Sequence, residues 1–310
     1  MIIDLPDTTV SAISKALVSL REEGGAVTLG RVLTLVIMTQ PEHEEAAIAA
    51  ANQASHEHPM RVIALSEQRY GDGDRVHGEI RVGGDTGASE VIILRASGEA
   101  GRDPASLVTG LLLPDAPIVA WWTRKAPERV ALTPVGRMAT RRITDIRAHS
   151  ASPRALQTLA KRSAPGDTDF AWTRITRWRS QLAAVLDEPP YEPVQRVRVM
   201  GSSDSPSAVL LAAWLGLQLE APVELETRHT SRDGYGVDGV RLERASGAIE
   251  LIRTSETAVR LTQPGQPEHE VAIPLRTDSE CLAEELRRLD PDEMYERVLS
   301  EGLSLPRTVE

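Results

Sequence analysis

The sequence predicts an α/β protein built from two α/β halves with parallel βαβ units, and three observations support this fold class. Strand, helix and strand patterns follow one another in both halves, which is typical of a parallel sheet covered by helices. Residues 187–193, Asp-Glu-Pro-Pro-Tyr-Glu-Pro, are predicted to link the halves. The second half adds an antiparallel meander and C-terminal helices. We therefore expect an N-terminal α/β domain over residues 1–188 and a C-terminal α/β domain with antiparallel strands over residues 189–310.

The first half carries alternating helix and strand patterns. Apolar residues at helical spacing predict an opening helix over Pro6–Glu23, which Gly24-Gly25 ends. Val-, Ile- and Leu-rich runs predict the strands, and Ala-rich or amphipathic runs predict the helices. A glycine-rich stretch, residues 83–87, is expected to form a hairpin turn. In chain order the elements are strand Thr28–Met38, helix Glu42–Gln53, strands Arg61–Leu65, Val76–Val82 and Val91–Arg95, helix Pro104–Leu113, strands Pro117–Trp122 and Thr140–Ala148, and helix Pro153–Arg162.

One more helix closes the first half, directly before the linker. Asp169 is expected to cap this helix, which runs to Leu186. After the linker, one more βαβ unit is followed by short alternating strands between Gly, Ser and Pro turns, which indicate an antiparallel meander. The elements are strand Arg196–Met200, helix Ser205–Leu219, strand Pro222–Thr227, meander strands Gly239–Glu243, Ala248–Arg253, Ala258–Thr262 and Glu270–Ile273, and helices Ser279–Leu289 and Pro291–Leu299.

Composition excludes several classes of partner. The formal net charge is −10 and the basic residues are scattered, so neither nucleic acid nor an anionic membrane is expected as a partner. The longest apolar run, Pro206–Leu219, is shorter than the roughly 20 residues that span a bilayer. The first residues carry acids and Pro where a signal peptide needs basic and apolar residues. We expect a soluble, cytoplasmic protein without a membrane segment.

No catalytic or metal-binding constellation is predicted. Residues 201–207 lie between a strand and a helix, where α/β proteins can hold phosphate, but they lack the known phosphate-loop patterns and favour a capping turn. His56-Glu57-His58 would need further ligands to hold a metal, and none lies at a spacing typical of a metal site. Cys281 is the single cysteine, which excludes an intrachain disulfide and a cysteine metal site. We therefore expect no catalytic residues, no metal and no cofactor.

Trp121 and Trp122 stand side by side at the end of a predicted strand, in a chain with 5 Trp and 1 Phe. Neighbouring strand residues point to opposite faces of a sheet, so one core face cannot bury both rings. Either helices cover both faces of the strand, or one ring belongs to a site. The pair lies at the carboxyl end of the strand, where open α/β sheets bind ligands or partners. Both interpretations stay open at this point.

A surface for a protein partner is predicted from Trp and Arg residues that gather at strand and helix ends. Trp and Arg are enriched at interface hot spots. On the helix after Asp169, Trp172, Arg174 and Arg179 are expected at the rim of the apolar face. The alternative is a core helix whose Arg side chains merely reach the solvent. The predicted contact residues are Trp121, Trp122, Arg124, Arg141, Arg142, Asp145, Asp167, Asp169, Trp172, Arg174 and Arg179.

Several stretches, taken together and in order, resemble one known family. The resemblance runs from the first residues nearly to the last. It is carried by Asp4–Thr9, Gly30–Leu35, Ala54–Pro59, Leu113–Trp122, Arg141–Asp145, Gly166–Asp169, Ala171–Thr176, Trp178-Arg179, Glu280–Glu284 and Leu289–Glu293. The chain resembles the glucose-6-phosphate dehydrogenase assembly proteins of the OpcA family.

The resemblance implies a non-catalytic accessory subunit. Such a protein binds glucose-6-phosphate dehydrogenase in a hetero-oligomer, promotes the active oligomer and supports NADPH production in the oxidative pentose phosphate pathway. Photosynthetic members are linked to thiol-based redox control, whereas a chain with Cys281 alone cannot form an intramolecular switch. Regulation by binding is therefore expected. The alternative is an α/β enzyme or sensor that binds a sugar phosphate or nucleotide at the carboxyl edge of the strands.

Overall fold

A computed structural model of the chain describes residues 1–23, 32–67, 73–83, 90–148, 153–201, 205–227 and 236–309. The strands are β1 Ile2–Leu5, β2 Leu33–Thr39, β3 Met60–Glu67, β4 Arg75–Val82, β5 Glu90–Ser97, β6 Ile118–Trp122, β7 Arg141–Thr144, β8 Asp167–Asp169, β9 Arg196–Gly201, β10 Val223–Thr227, β11 Val237–Arg244, β12 Gly247–Arg253, β13 Ala258–Thr262, β14 His269–Ala272 and β15 Arg307–Val309. The α-helices are α1 Val10–Glu23, α2 Glu44–Ser55, α3 Gly98–Arg102, α4 Pro104–Thr109, α5 Pro134–Met138, α6 Pro153–Arg162, α7 Phe170–Thr173, α8 Thr176–Leu186, α9 Pro206–Leu219, α10 Asp278–Arg287 and α11 Glu293–Ser300.

The chain forms two units, and neither is one continuous stretch of sequence. Unit 1 comprises Met1–Asp145, Ser163–Thr168 and Asp278–Pro291. Unit 2 comprises Ile146–Arg162, Asp169–Thr277 and Asp292–Glu310. Each unit is built around its own sheet and its own apolar cluster.

The first sheet has eight strands within the described part of the chain, in the order β1-β4-β5-β3-β2-β6-β7-β8. Strands β5, β3, β2, β6 and β7 run parallel, and β4 and β1 are added antiparallel at one side. Leu35, Val36 and Ile37 of β2 are fully buried, as expected for a central parallel strand covered on both faces. The β2-α2-β3 unit confirms the predicted βαβ pattern.

The second sheet has seven strands among the described residues, in the order β14-β13-β12-β11-β9-β10-β15. Strands β9, β10 and β15 are parallel, and β11 to β14 form the predicted antiparallel meander. Helix α9 connects β9 to β10, which confirms the second βαβ unit. Ser205 caps α9, since its Oγ accepts a hydrogen bond from the Ala208 backbone N–H at 3.3 Å. Residues 202–204 of the predicted capping turn lie outside the described residues.

Most predicted elements are confirmed, and several differ from the prediction. Strands β1, β8 and β15 were not predicted, because runs of three or four residues are too short to show a pattern. The predicted strand Thr140–Ala148 ends at Thr144, and a 3₁₀ helix follows over Ile146–Ala148. The helix after Asp169 is interrupted between α7 and α8. The predicted hairpin turn lies outside the described residues, apart from Gly83.

The division into units differs from the predicted boundary at residue 188. Helix α8 falls in unit 2 because its buried side chains, Trp178, Leu182 and Val185, join an apolar cluster with Val197 and Val199 of β9. Helix α10, expected in the C-terminal domain, falls in unit 1. Sequence order alone does not reveal such exchanges of segments between units.

Candidate functional site

Both rings of the tryptophan pair are buried in unit 1. Trp121 and Trp122 end β6, next to β2 in the first sheet, and their residues are 2% and 4% exposed. Trp122 belongs to an apolar cluster with Val36, Ile63 and other unit 1 residues. Because neighbouring strand residues point to opposite faces, the Trp121 ring lies on the other face. Packing on both faces therefore accounts for the pair, although Trp122 also lines a cavity.

This cavity lies at the carboxyl ends of the parallel strands of unit 1. Its volume is about 790 Å³, within the range of small-molecule sites. Four neighbouring strands, β5, β3, β2 and β6, contribute their last residues to its wall, and the segments that follow them complete it. The lining residues are Met38, Thr39, Gln40, Leu65, Ser66, Ala96, Ser97, Gly98, Gly101, Arg102, Pro104, Leu107, Trp122, Arg124, Lys125 and Pro127.

The charge of the cavity wall is opposite to that of the whole chain. Arg102, Arg124 and Lys125 are basic, and no Asp or Glu is among the described residues that line the cavity. Arg102 forms an ion pair with Glu99, but both side chains are strongly exposed, so this pair holds Arg102 only weakly. Of these residues, the sequence prediction included Arg124 and Trp122. It missed Lys125, although Lys125 directly follows Arg124 after the end of β6.

Arg141 and Arg142 form buried ion pairs in unit 1. The Arg141 guanidinium donates to Glu285 Oε2, with the Nε–Oε2 distance at 3.1 Å, and to the Asp290 backbone oxygen at 2.8 Å. Arg142 pairs with Asp167 and donates to the Ala139 backbone oxygen at 2.7 Å. These contacts join β7 to α10, to the start of β8 and to the end of α5.

Burial limits what these charged residues can contact. Arg141, Arg142, Asp145 and Asp167 are all buried. Burial raises the pKa of Asp167 above its ordinary value, against the hydrogen bonds from Arg142 and the Ala164 backbone N–H, which lower it. These four buried side chains therefore stabilise unit 1 and offer little surface to a partner.

Asp169 and Trp172 hold the start of the helical segment in unit 2. Asp169 caps α7, as predicted, by accepting a hydrogen bond from the Ala171 backbone N–H at 2.9 Å. The Trp172 indole N–H donates to Asp292 Oδ2 at 2.8 Å, and its ring lies 5.5 Å from the Tyr295 ring. Trp172 is 1% exposed, so the prediction that it lies at the rim of the apolar face is wrong. Spacing along one helix does not show that α11 covers this ring.

Arg174 and Arg179 are half-buried beside aromatic rings of unit 2. The guanidinium carbon of Arg179 lies 3.6 Å from the centroid of the Trp172 ring, and that of Arg174 lies 5.6 Å from the Phe170 ring. Arg124 of unit 1 is exposed. These three Arg are the predicted contact residues that solvent reaches to a substantial degree.

The histidine pair and the cysteine have structural surroundings in unit 1. Glu57 forms an exposed ion pair with Arg287, and His58 Nε2 lies 3.1 Å from the Ala283 backbone oxygen. Within the described ranges, no group of three or more His, Cys, Asp or Glu side chains is arranged to hold a metal ion. Cys281 is buried in α10.

Two family profiles match the chain, and both describe a subunit of an enzyme. Residues 51–161 match the glucose-6-phosphate dehydrogenase subunit N-terminal domain, and residues 165–299 match the C-terminal domain of the same subunit. The two profiles together cover most of the chain. The chain therefore belongs to the OpcA family of glucose-6-phosphate dehydrogenase assembly proteins, as the resemblance predicted.

Solved structures show distant similarity. A 3-ketoreductase from Actinomadura kijaniata, crystallised with TDP-benzene and NADP, is 10% identical with a TM-score of 0.42, and the match covers 90% of this chain and 99% of that one. A dehydrogenase from Chromobacterium violaceum is 10% identical with a TM-score of 0.43, over 87% and 92% of the two chains. No curated protein matches the chain significantly. In the described part of the chain, every helix is too short or too polar to cross a membrane.

Proposed function

We propose that this chain is a non-catalytic accessory subunit that binds glucose-6-phosphate dehydrogenase and promotes its active oligomer. The family profiles carry this proposal, because both name the same dehydrogenase subunit and together match residues 51–161 and 165–299. In this role the protein supports NADPH production in the oxidative pentose phosphate pathway. Allosteric activation by binding and a cytoplasmic location, with the dehydrogenase, belong to the same proposal.

The solvent-reachable Arg residues are the proposed contacts with the dehydrogenase. In unit 2, Arg174 and Arg179 lie against Phe170 and Trp172, which restricts their side chains before a partner binds. Restricted side chains lose less conformational entropy on binding, and Arg is a common hot-spot residue. Buried members of the predicted set, such as Trp172 and Asp169, would then hold these Arg side chains in position.

Purified components test the proposal directly. The dehydrogenase from the same cell is assayed alone, with this chain, and with an unrelated acidic protein of similar size as control. We expect the chain to co-elute with the dehydrogenase, to shift it to a larger oligomer and to raise its activity. The chain alone should form no NADPH from glucose 6-phosphate and NADP.

The outcomes separate the parts of the proposal. Activity of the chain alone would contradict a non-catalytic role. Co-elution and activation without a change in oligomer mass would contradict the assembly mechanism while leaving the binding role. Failure to co-elute at micromolar concentrations of both proteins would overturn the proposed function as a whole.

A further inference from the structure

In the first sheet, the strands that follow β2 in the chain are added first on one side of β2 and then, from β6 on, on its other side. From β2 the chain passes through α2 to β3, and β5 is then added beyond β3. From β5 the chain returns across the sheet to β6, which pairs with the other side of β2. The segments after β2 and β6 therefore leave in opposite directions. In open α/β sheets such a reversal opens a crevice at the carboxyl ends of the strands, where ligands bind.

The cavity of unit 1 coincides with this reversal. Met38, Thr39 and Gln40 line it from the end of β2, while Trp122, Arg124 and Lys125 line it from the end of β6. Its volume of about 790 Å³ suits a ligand of metabolite size. The topology of the sheet and the position of the cavity are separate observations, and both indicate a ligand site at this point.

The side chains at the mouth of the cavity favour an anion. Arg124 and Lys125 are exposed, and within the described ranges neither forms a hydrogen bond or an ion pair. Arg provides a planar pair of donors that matches phosphate oxygens, and Lys adds a positive point charge.

The inner wall offers both an apolar surface and a spare polar group. Leu65, Leu107 and Trp122 provide the apolar part. Ser66 also lines the cavity and is 2% exposed, and its Oγ has no hydrogen-bond partner among the described residues. A buried hydroxyl without a partner costs stability, so such groups in native proteins commonly serve a ligand or a bound water.

We propose that this cavity binds a small phosphorylated metabolite. Its phosphate group lies at Arg124 and Lys125, and its organic part lies against Trp122 and Leu65 near the Ser66 hydroxyl. The site does not use a glycine-rich phosphate loop, because β2 ends at Thr39 and Gln40-Pro41 follows it where such a loop would stand. The proposal concerns this chain alone and does not depend on binding to the dehydrogenase.

Calorimetric titration of the purified full chain tests the proposal. The probes are inorganic pyrophosphate, glucose 6-phosphate, NADP and ATP, and the controls are glucose and adenosine, which lack phosphate. The test variant is Arg124→Ala with Lys125→Ala. A matched variant, Arg129→Ala with Arg137→Ala, removes the same charge from exposed residues that do not line the cavity. Melting temperatures of both variants show whether they fold.

We expect at least one phosphorylated probe to bind the wild type with a Kd below about 1 mM, while glucose and adenosine bind more weakly. The Arg124→Ala, Lys125→Ala variant should bind that probe at least about tenfold more weakly, because two charge-assisted contacts are lost. The matched variant should bind within about threefold of the wild type, since the long-range effect of two exposed charges is screened by salt.

Two further variants examine the inner wall. Trp122→Phe should abolish a change in tryptophan fluorescence on binding, because the Trp122 ring contacts the ligand. Ser66→Ala should weaken binding without lowering the melting temperature, since the lost hydroxyl has no partner in the described part of the protein. A purely structural Ser66 would instead lower the melting temperature and leave the Kd unchanged, which would contradict its part in the site.

Three results would overturn the proposal as a whole. They are binding of no phosphorylated probe at about 1 mM, equal binding of phosphorylated and unphosphorylated probes, and equal losses in the test and matched variants. These results are distinguishable from failure of the proposed function, since no dehydrogenase is present. The Arg174→Ala and Arg179→Ala variants, which lie in unit 2, should retain ligand binding.

Discussion

The guanidinium carbon of Arg179 lies 3.6 Å from the centroid of the Trp172 indole ring. The ring is buried, whereas the Arg179 side chain is partly exposed. One contact therefore joins a residue that stabilises unit 2 to a residue that can meet a partner. Substitutions at the two positions are expected to have different effects, although the sequence predicted the same role for both.

Trp172→Ala is expected to lower the free energy of unfolding by about 3–5 kcal/mol, because a fully buried ring is lost. The change also removes the hydrogen bond to Asp292 and the contact with Tyr295. Trp172→Phe keeps an aromatic ring and should cost less. Equilibrium unfolding in urea measures the free energy of unfolding of both variants. A loss below about 1 kcal/mol for Trp172→Ala would contradict a core role for this ring.

Arg174→Ala and Arg179→Ala are expected to change the unfolding free energy by no more than about 1 kcal/mol, the size of a partly exposed cation–π contact. Each should weaken binding to the dehydrogenase by about 1–2 kcal/mol if the residue is a hot spot. Titration calorimetry measures the affinity. Arg260→Ala, an exposed Arg in β13 of the same unit, is the matched control. If Arg174→Ala and Arg179→Ala both bind like the wild type, the contact surface lies elsewhere.

Much of the fold could be predicted from the sequence because its strands and helices have clear apolar periods. The β2-α2-β3 unit and the meander β11 to β14 show this. Three-residue strands such as β8 carry too few residues for a pattern, and the assignment of α10 to unit 1 depends on contacts distant in sequence. The site was predicted less completely. Trp is a residue type enriched at protein interfaces, which favoured an interface role for Trp172. Its burial by α11 depends on contacts between residues distant in sequence.

Glu285→Ala is expected to destabilise the protein by about 3–5 kcal/mol, because it leaves the Arg141 guanidinium buried without its carboxylate. Glu57→Ala, in the turn after α2, is the matched control, since it breaks the exposed pair with Arg287 and should cost less than about 1 kcal/mol. Equilibrium unfolding by urea compares the two variants. Equal losses would contradict the importance of burial for the Arg141–Glu285 pair.

Acid should destabilise unit 1 through Glu45 of α2 and Glu79 of β4. The hydrogen bond from Arg81 lowers the pKa of Glu45 below its ordinary 4.5. Burial opposes the shift at Glu79, but Arg81 and Arg95 together lower the pKa of that carboxyl as well. A carboxyl group whose pKa is lower in the folded state contributes stability above its unfolded-state pKa and loses it as the pH falls through the folded-state pKa. Stability should therefore decline as the pH falls below 4.5.

Arg81→Gln separates this effect from general acid unfolding. Its unfolding free energy should depend less on pH than that of the wild type between about pH 5 and pH 3, because both carboxyl groups lose a cationic partner. Arg260→Gln is the control, and its pH dependence should match that of the wild type. Parallel curves for all three proteins would show that these pairs contribute nothing to acid sensitivity.

Activation of the dehydrogenase is expected to be independent of reducing agent, because Cys281 is the single cysteine of the chain and is fully buried in α10. A lone thiol closes no intrachain disulfide, and a buried one is poorly accessible to an oxidant. Cys281→Ala, which introduces no buried hydroxyl, should activate the dehydrogenase as the wild type does. A thiol reagent should react with the wild type only after urea unfolds it. The dehydrogenase is assayed alone with and without reductant, so that a response of its own is subtracted. Activation that depends on reductant in the wild type, but not in Cys281→Ala, would show that this thiol is a regulatory group.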